Sequence, residues 1–264
     1  MSQTLARFLG TSLPADVIID CMAVGPDVLR MLGEREGSKP AIISWMPRDY
    51  SGVGHPDWRP EARQLRGADG RIIPALLQRF PTVRGAPARI AAFGFSAGSN
   101  SGLRELLRSP ADRGALSFVA SVDGLHFLKA YDGSVFQEDF DPWVAYARDA
   151  VEGRATCVFT GNNLQAPTVS TTKTPEGMKL IHQAILARVG NDAAFRYPPN
   201  LSVMRQFSAY GPPLTNGQGG IGNCYFYEYP GTQAVDHIIQ ARVIVPRIFN
   251  TFLAAAWSQG NLGV

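Results

Sequence analysis

The sequence is poor in cysteine, and this scarcity excludes a small scaffold held together by disulfides. Its three cysteines, Cys21, Cys157 and Cys224, lie far apart in a chain of 264 residues and form no CxxC pair. An odd count argues against a disulfide framework, and each cysteine lies in an apolar, strand-like run. We therefore predict three buried thiols, and we predict no metal site and no cofactor.

The sequence also lacks a large excess of either positive or negative charge. Lys+Arg is 25 and Asp+Glu is 22, so the net charge is only +3. The densest basic stretch is 59–71, where Pro60, Glu61 and Asp69 interrupt four arginines. A stripe that binds nucleic acid would be longer and cleaner. We therefore expect a solvated face at this stretch and no nucleic-acid partner.

A long uncharged apolar run is missing as well. The most apolar long stretch, 238–257, carries Arg242, Arg247 and Asn250, and Pro246 breaks it. A membrane-spanning helix needs about 20 nearly uncharged apolar residues. Residues 1–7 lack the basic start and the apolar run of a signal peptide. The sequence therefore predicts a cytoplasmic protein with no membrane span.

What the sequence does contain is an alternation of apolar runs and helical patterns. Six apolar runs predict β-strands, at 16–22, 41–45, 89–94, 116–122, 156–160 and 224–229. Between several of these runs, apolar residues recur at helical spacing. Asp69 is predicted to cap the helix that buries Ile72 and Ile73. Uninterrupted apolar strands that alternate with helices indicate a mostly parallel sheet covered on both faces. We predict a single doubly wound α/β domain over residues 1–264.

Two segments interrupt this alternation, at about 124–154 and about 195–222. The first is rich in aromatic residues and is predicted to be a lid or cap insertion. The second is rich in proline and glycine and is predicted to be a loop insertion. In doubly wound sheets the functional residues lie at the carboxyl ends of the strands. The residues that directly follow each predicted strand are therefore the candidates for a site.

The third predicted strand leads into Gly94-Phe95-Ser96-Ala97-Gly98, a G-x-S-x-G motif that precedes a leucine-rich helical pattern. A serine at a sharp strand-to-helix turn is held in a strained conformation with its hydroxyl above the sheet. The start of the helix offers N–H groups where an oxyanion can form. In a chain with 27 glycines, the motif can also be a plain turn of small residues. Its position between a strand and a helix favours Ser96 as a nucleophile.

A serine nucleophile needs a base, and the candidates are the four histidines: His55, His126, His182 and His237. His237 follows the sixth predicted strand near the start of the last helix, at a carboxyl end of the sheet. His182 lies inside a regular helical pattern, while His55 and His126 lie in loops that follow strands. We predict His237 as the base, and the alternative for it is a role in capping or packing the helix.

Asp123 ends the fourth predicted strand and is the candidate for the acid that orients His237. Asp123-Gly124 is also a typical turn sequence, which is the alternative interpretation. The fifth predicted strand ends in Thr160-Gly161-Asn162-Asn163 and offers no carboxylate. Asp236 precedes His237 directly, and neighbours on a helix point about 100° apart. By elimination and by position, the sequence favours Asp123.

The motif around Ser96, between a strand and a helix and with the late His237, resembles the α/β-hydrolase superfamily. The loop Asp49-Tyr50-Ser51-Gly52-Val53-Gly54-His55 is similar to the D-x-R-G-x-G-x-S stretch of many members. Some members carry the acid one strand earlier than the usual position, which matches Asp123. Little sequence precedes Asp16, so we expect the usual leading strands to be missing, as in compact members of the superfamily.

The resemblance implies acyl transfer to water through a serine ester. Ser96 would attack a carbonyl, and His237 would take its proton and later return it to the leaving group. Asp123 would hold the imidazole tautomer. The oxyanion hole would be formed by backbone N–H groups of Ala97 and of Ala23 or Val24.

The pocket is expected to hold a small-molecule ester or acyl compound. Its lining is expected to include Phe95, His126, Phe127, Tyr131 and Trp143. The alternative is that these aromatic residues pack the insertion onto the body of the protein. An amidase, a thioesterase or an acyltransferase would use the same triad, and a non-catalytic binding protein on this scaffold also stays open. The oligomeric state is not determined by any feature of the sequence.

Overall fold

The computed structural model describes residues 6–7, 16–22, 41–45, 57–79, 87, 89–162, 170–189, 205–206, 220–229 and 233–253. The chain divides into two compact units, Met1–Val119 and Ala120–Val264. In each unit the strands pair mainly in parallel and helices accompany them, so the protein has an α/β fold, as the sequence predicts. A single domain over 1–264 and a lid at 124–154 stay predictions.

Three parallel strands form the sheet of the first unit, and their order is β3–β2–β4. They are β2 (Val17–Met22), β3 (Ala41–Ser44) and β4 (Ile90–Phe95). Consecutive residues 17–21 of β2 are all buried, so both faces of this strand are covered. A two-residue strand, β1 (Ala6–Arg7), pairs antiparallel with β3. The sequence predicts no strand before Asp16, and β1 corrects this expectation. A strand of two residues is too short to show an alternating pattern in the sequence.

The helices of the first unit are short. They are α1 (Arg59–Leu65), α2 (Ile73–Gln78), a π-helical segment (Gly98–Leu103), α3 (Arg104–Arg108) and α4 (Pro110–Ala115). Three of the four arginines in the basic stretch form ion pairs within this unit: Arg59 with Asp57, Arg66 with Glu105, and Arg71 with Asp69. These contacts neutralise much of the charge that the stretch carries.

The start of α2 is capped by a residue distant in sequence. The predicted cap, Asp69, is exposed and bonds to the backbone and side chain of Arg71 instead. The backbone N–H groups of Ile72 and Ile73 donate to the carboxylate of Asp112, at 2.6 and 3.2 Å. Asp112 is completely buried, and burial raises the pKa of its carboxyl group despite these two hydrogen bonds. The predicted cap is therefore wrong, because α4 supplies the acceptor.

Replacing Asp112 by Ala is expected to lower the free energy of unfolding by about 1–3 kcal/mol, because two buried N–H groups lose their acceptor. The exposed Asp69 gives the matched control, and Asp69→Ala is expected to change stability by less than about 0.5 kcal/mol. Urea unfolding followed by circular dichroism measures both values. An equal loss in the two variants, or a larger loss for Asp69→Ala, would show that this capping assignment is wrong.

The second unit contains a further parallel pair with short strands added to it. β5 (Leu116–Val122) begins in the first unit and ends in the second. β6 (Thr156–Asn162) and β9 (Cys224–Tyr229) pair in parallel. The two-residue strands β7 (Arg205–Gln206) and β8 (Gly220–Ile221) both pair with β9, the first in parallel and the second antiparallel.

Two long helices and four short helical segments accompany the strands of this unit. They are α5 (Gln137–Val151), α6 (Thr174–Val189), α7 (Ala234–Ile239), a π-helical turn (Gln240–Ile244), α8 (Val245–Ile248) and a second π-helical turn (Phe249–Leu253). Met178, Ile181 and Ile185 of α6 are fully buried, and their spacing of three and four residues places them on one apolar face of the helix. No helix in the described ranges is both long and apolar enough to cross a membrane.

The three cysteines are buried free thiols, as the sequence predicts. Cys157 and Cys224 are direct partners in the pairing of β6 with β9, and their Sγ atoms lie 3.0 Å apart. Burial raises the pKa of the Cys21 and Cys157 thiols well above the ordinary value. Thiols of this kind are poor nucleophiles at neutral pH.

Candidate active site

Ser96 lies at the turn between β4 and the π-helical segment, where the sequence predicts it. Its backbone φ is +53°, a left-handed conformation that is rare for residues other than glycine. Such a conformation costs about 1–3 kcal/mol and persists only where the surrounding structure enforces it. The carbonyl of Ser96 accepts hydrogen bonds from the N–H groups of Ser99 and Asn100, both at 3.1 Å. The turn therefore leads directly into a helix, and Ser96 is partly exposed at its corner.

Close packing explains the two glycines that flank Ser96. A Cβ on Gly98 would lie 1.7 Å from the backbone oxygen of Cys21 in β2, which is far inside contact distance. A Cβ on Gly94 would lie 2.8 Å from the side chain of Leu103 and from the Cα of Ser99. Both positions therefore require glycine so that the helix can approach the strands.

Asp123 and His237 are in direct contact, although 114 positions separate them in the chain. The Nδ1 of His237 lies 2.6 Å from the Oδ2 of Asp123. An ionised carboxylate only accepts hydrogen bonds, so the imidazole carries its proton on Nδ1 and donates it to Asp123. Nε2 then keeps a lone pair and can accept a proton. The structure thus brings the predicted acid and base together in the arrangement that a general base requires.

The backbone around Asp123 holds its carboxylate in place. Asp123 has φ +47°, a second left-handed residue, and lies in a bend directly after β5. Its N–H donates to the carbonyl of Thr160 at 2.7 Å, and its Oδ1 accepts from the N–H of Asn162 at 3.2 Å. Asp123 is almost completely buried, while the His237 side chain is about one-fifth exposed at 20%. One oxygen of the acid faces the strand and the other faces the imidazole.

Asp236 has a different task from Asp123. Its side chain accepts the N–H of Gln233 at 2.9 Å, and the Gln233 side chain accepts the N–H of Asp236. This reciprocal pair is a capping box, which fixes the start of α7. His237 is the next residue along the helix, so the capping box sets the position from which its ring reaches Asp123.

The residues predicted for the oxyanion hole are only partly described. Ala97 is the N-cap of the π-helical segment, where the first N–H groups have no carbonyl partner within the helix. Ala23 and Val24 lie outside the described residues. His55 and most of the predicted loop insertion at 195–222 also lie outside them.

The predicted pocket residues fall into three kinds of place. Phe127 and Trp143 are completely buried, where their rings pack edge-on against Phe140 and Phe159. This packing is the alternative that the sequence leaves open for the aromatic insertion. Tyr131 is fully exposed on a turn. Phe95 is the buried last residue of β4 and therefore directly precedes Ser96.

His126, the fifth predicted pocket residue, belongs to the surroundings of the Asp123–His237 pair. Its Nδ1 lies 3.1 Å from the carbonyl oxygen of Thr172. Burial lowers the pKa of His126, and it outweighs the opposite effects of the Thr172 carbonyl and of Asp123. The His126 ring is therefore neutral at pH 7. His182, by contrast, packs on Phe226 in the second unit, and burial lowers its pKa too.

Thr160 and Asn162 contact Asp123 and are not among the predicted site residues. Both lie at the end of the fifth predicted strand, which offers no carboxylate. Their position at the carboxyl end of a strand is the signal that could have identified them. Within the described ranges, no three His, Cys, Asp or Glu side chains are grouped closely enough to hold a metal ion.

No protein-family model matches the chain, and a comparison with curated proteins gives no significant match. The residues and their geometry are therefore the basis for assigning a function to this chain.

Proposed function

We propose that this protein is a serine hydrolase that cleaves a carboxylic ester, with Ser96 as nucleophile, His237 as base and Asp123 as orienting acid. We also propose that its sheet is the doubly wound sheet of a compact α/β-hydrolase-like protein. The proposal rests chiefly on one observation, the 2.6 Å contact between the buried carboxylate of Asp123 and the Nδ1 of His237. A carboxylate in that position selects the imidazole tautomer that can accept a proton on Nε2.

The left-handed turn at Ser96 supports the same proposal from the side of the nucleophile. Strained residues of this kind are concentrated at functional sites. The turn follows a buried strand and opens a helix, which is the local structure that the G-x-S-x-G chemistry requires. A turn of small residues with no other task would not need a serine in a conformation that glycine adopts freely.

The proposed reaction has two halves. The Oγ of Ser96 attacks the ester carbonyl while its proton passes to Nε2 of His237, and the imidazolium is stabilised by Asp123. The carbon–oxygen bond to the alcohol then breaks, and His237 returns the proton to the departing alcohol. Water attacks the acyl-enzyme with the same base and releases a carboxylic acid. The N–H of Ala97 contributes to stabilising the oxyanion, and one such donor is typically worth about 2.7–4 kcal/mol.

A fluorophosphonate probe tests this proposal directly, because it reacts covalently with an activated serine. We expect labelling of the full chain at Ser96, established by peptide mass spectrometry, and complete loss of labelling in Ser96→Ala. His237→Gln is expected to lose labelling as well, since the base is removed. The exposed Ser134 provides the matched control, and Ser134→Ala is expected to label like the wild type.

Failure of the wild-type protein to label, with circular dichroism showing that it is folded, would favour a non-catalytic binding protein. Labelling at another serine would assign the nucleophile elsewhere. Hydrolysis of p-nitrophenyl esters of increasing chain length, compared with matched amides and thioesters, then identifies the acyl compound that the site prefers.

A further inference from the structure

We propose that Thr160 and Gln240 form a positioning pair for His237. The hydrogen bond between their side chains joins the helix that carries His237 to β6. The backbone of β6 in turn forms hydrogen bonds with Asp123. The catalytic consequence of this inference rests on the proposed function. The contacts that carry it belong to residues of β6, α7 and the π-helical turn.

The first contact joins the strand to the helix. The Oγ1 of Thr160 donates to the Oε1 of Gln240, and the two atoms lie 3.1 Å apart. Thr160 is completely buried and Gln240 is 2% exposed, so water does not compete for this hydrogen bond. A hydrogen bond in such surroundings is directional and restrains both side chains.

The second and third contacts connect this pair to the acid and to the base. The carbonyl of Thr160 accepts the N–H of Asp123 at 2.7 Å. The N–H of Gln240, at the end of α7, donates to the carbonyl oxygens of Asp236 and His237. Together with the contact between His237 and Asp123, these bonds close a ring that passes through four residues. A shift of the helix away from β6 therefore has to break the buried hydrogen bond between Thr160 and Gln240 as well as the contact between the imidazole and the carboxylate.

The helix geometry explains why such a restraint is useful at this point. Gln240 is the residue at which α7 gives way to a π-helical turn. The π-helix is a rare geometry that commonly occurs near functional sites. His237 precedes this transition by three residues, so its ring and the Gln240 side chain lie on neighbouring positions of one helix face.

The energetics argue against a purely stabilising role for the pair. The Nε2 of Gln240 is buried and has no hydrogen-bond partner among the described residues. An amide N–H group buried without a partner lowers stability, whereas a leucine of similar size would carry no such penalty. A glutamine that weakens the core and yet bonds to the strand beside Asp123 fits a positional role.

The double variant Thr160→Val/Gln240→Leu tests the inference, because it removes both polar groups and keeps their volume. We expect its free energy of unfolding to equal or exceed that of the wild type. We expect kcat for ester hydrolysis to fall by about 10- to 100-fold, because the base is no longer held in register. KM is expected to change by less than about 3-fold, since the substrate contacts are untouched.

Proton NMR gives a second measurement that does not depend on activity. The Nδ1–H of His237 is expected to give a sharp downfield resonance in the wild type, assigned by its absence in His237→Gln. In the double variant, this resonance is expected to broaden or move upfield. Thr160→Ser keeps the hydroxyl donor and is expected to retain both kcat and the resonance.

Thr156→Val is the matched control, because Thr156 is another buried threonine on β6 and lies two pleat repeats before Thr160 on the same face of the strand. It is expected to leave kcat and the resonance unchanged. A folded double variant with wild-type kcat and an unchanged resonance would overturn the inference while leaving the proposed function intact. If the wild type shows no hydrolase activity, the resonance alone decides whether the pair positions His237. If the double variant fails to fold, Gln240→Met answers the same question.

Discussion

Replacement of Asp123 by Asn is expected to lower kcat for ester hydrolysis by about 10⁴-fold while KM changes little. The amide can present its oxygen to the N–H of Asn162 and its NH₂ group to His237. The imidazole then accepts on Nδ1 and carries its proton on Nε2, so it can no longer take the proton of Ser96. The size of the side chain and the hydrogen bond from Asn162 are both retained, so the fold is expected to persist. Steady-state kinetics and circular dichroism measure the two effects.

Two other acids provide the comparison for this variant. Asp132 lies exposed on a turn within the segment 124–154, and Asp132→Asn is expected to keep wild-type kcat. Asp236→Asn keeps an oxygen that can accept the N–H of Gln233 and removes only the negative charge at the start of α7, so it is expected to cost at most about 1 kcal/mol of stability and to keep kcat. A large loss of kcat in Asp236→Asn with little loss in Asp123→Asn would assign the orienting acid to Asp236 and contradict the proposed triad.

Replacement of Gly98 by Ala is expected to cause a large loss of stability. The added carbon would lie 1.7 Å from the backbone oxygen of Cys21, and a backbone carbonyl in a buried strand cannot rotate away. We expect the free energy of unfolding to fall by about 3 kcal/mol or more, because the helix has to move off the strand. Urea unfolding and the yield of folded protein measure this loss.

Gly114 is the matched control for this substitution. It lies in α4, its backbone φ is not left-handed, and an added Cβ would meet no atom within 4 Å. Gly114→Ala is expected to stabilise the protein by about 0.4–1 kcal/mol, because alanine restricts the unfolded chain. If Gly98→Ala unfolded at the wild-type urea concentration, the described contact between β2 and the π-helical segment would be wrong.

The α/β class and the six longer strands could be predicted from the sequence because each of them is a local pattern. The run 116–122 is apolar at five of its seven positions and carries no charge, and in the structure β5 covers Leu116–Val122. The buried face of α6 follows in the same way from the spacing of Met178, Ile181 and Ile185. The turn at Ser96 was also predictable, because glycine, serine and the flanking patterns lie within a few residues of one another.

Contacts between residues far apart in the chain could not be predicted with the same reliability. The cap of α2 is the clearest example. Asp69 is close in sequence and has a residue type that caps helices, but the N–H groups at the start of α2 donate to Asp112, which is distant in sequence. The aromatic insertion is another example, because the aromatic content of the segment does not show that Trp143 is buried and Tyr131 is fully exposed. In both cases the environment of a side chain depends on which element packs against it.

For the candidate site, the amino-acid sequence by itself determined which serine stands at a strand-to-helix turn and which histidine and aspartate follow other strands. These are consequences of residue type and local periodicity. Only the tertiary structure decided that Asp123, and not Asp236, meets the imidazole of His237, and that Thr160 and Gln240 bond to each other beside them. The reason is physical: a hydrogen bond requires two atoms within about 3 Å, and separation along the chain does not determine separation in space.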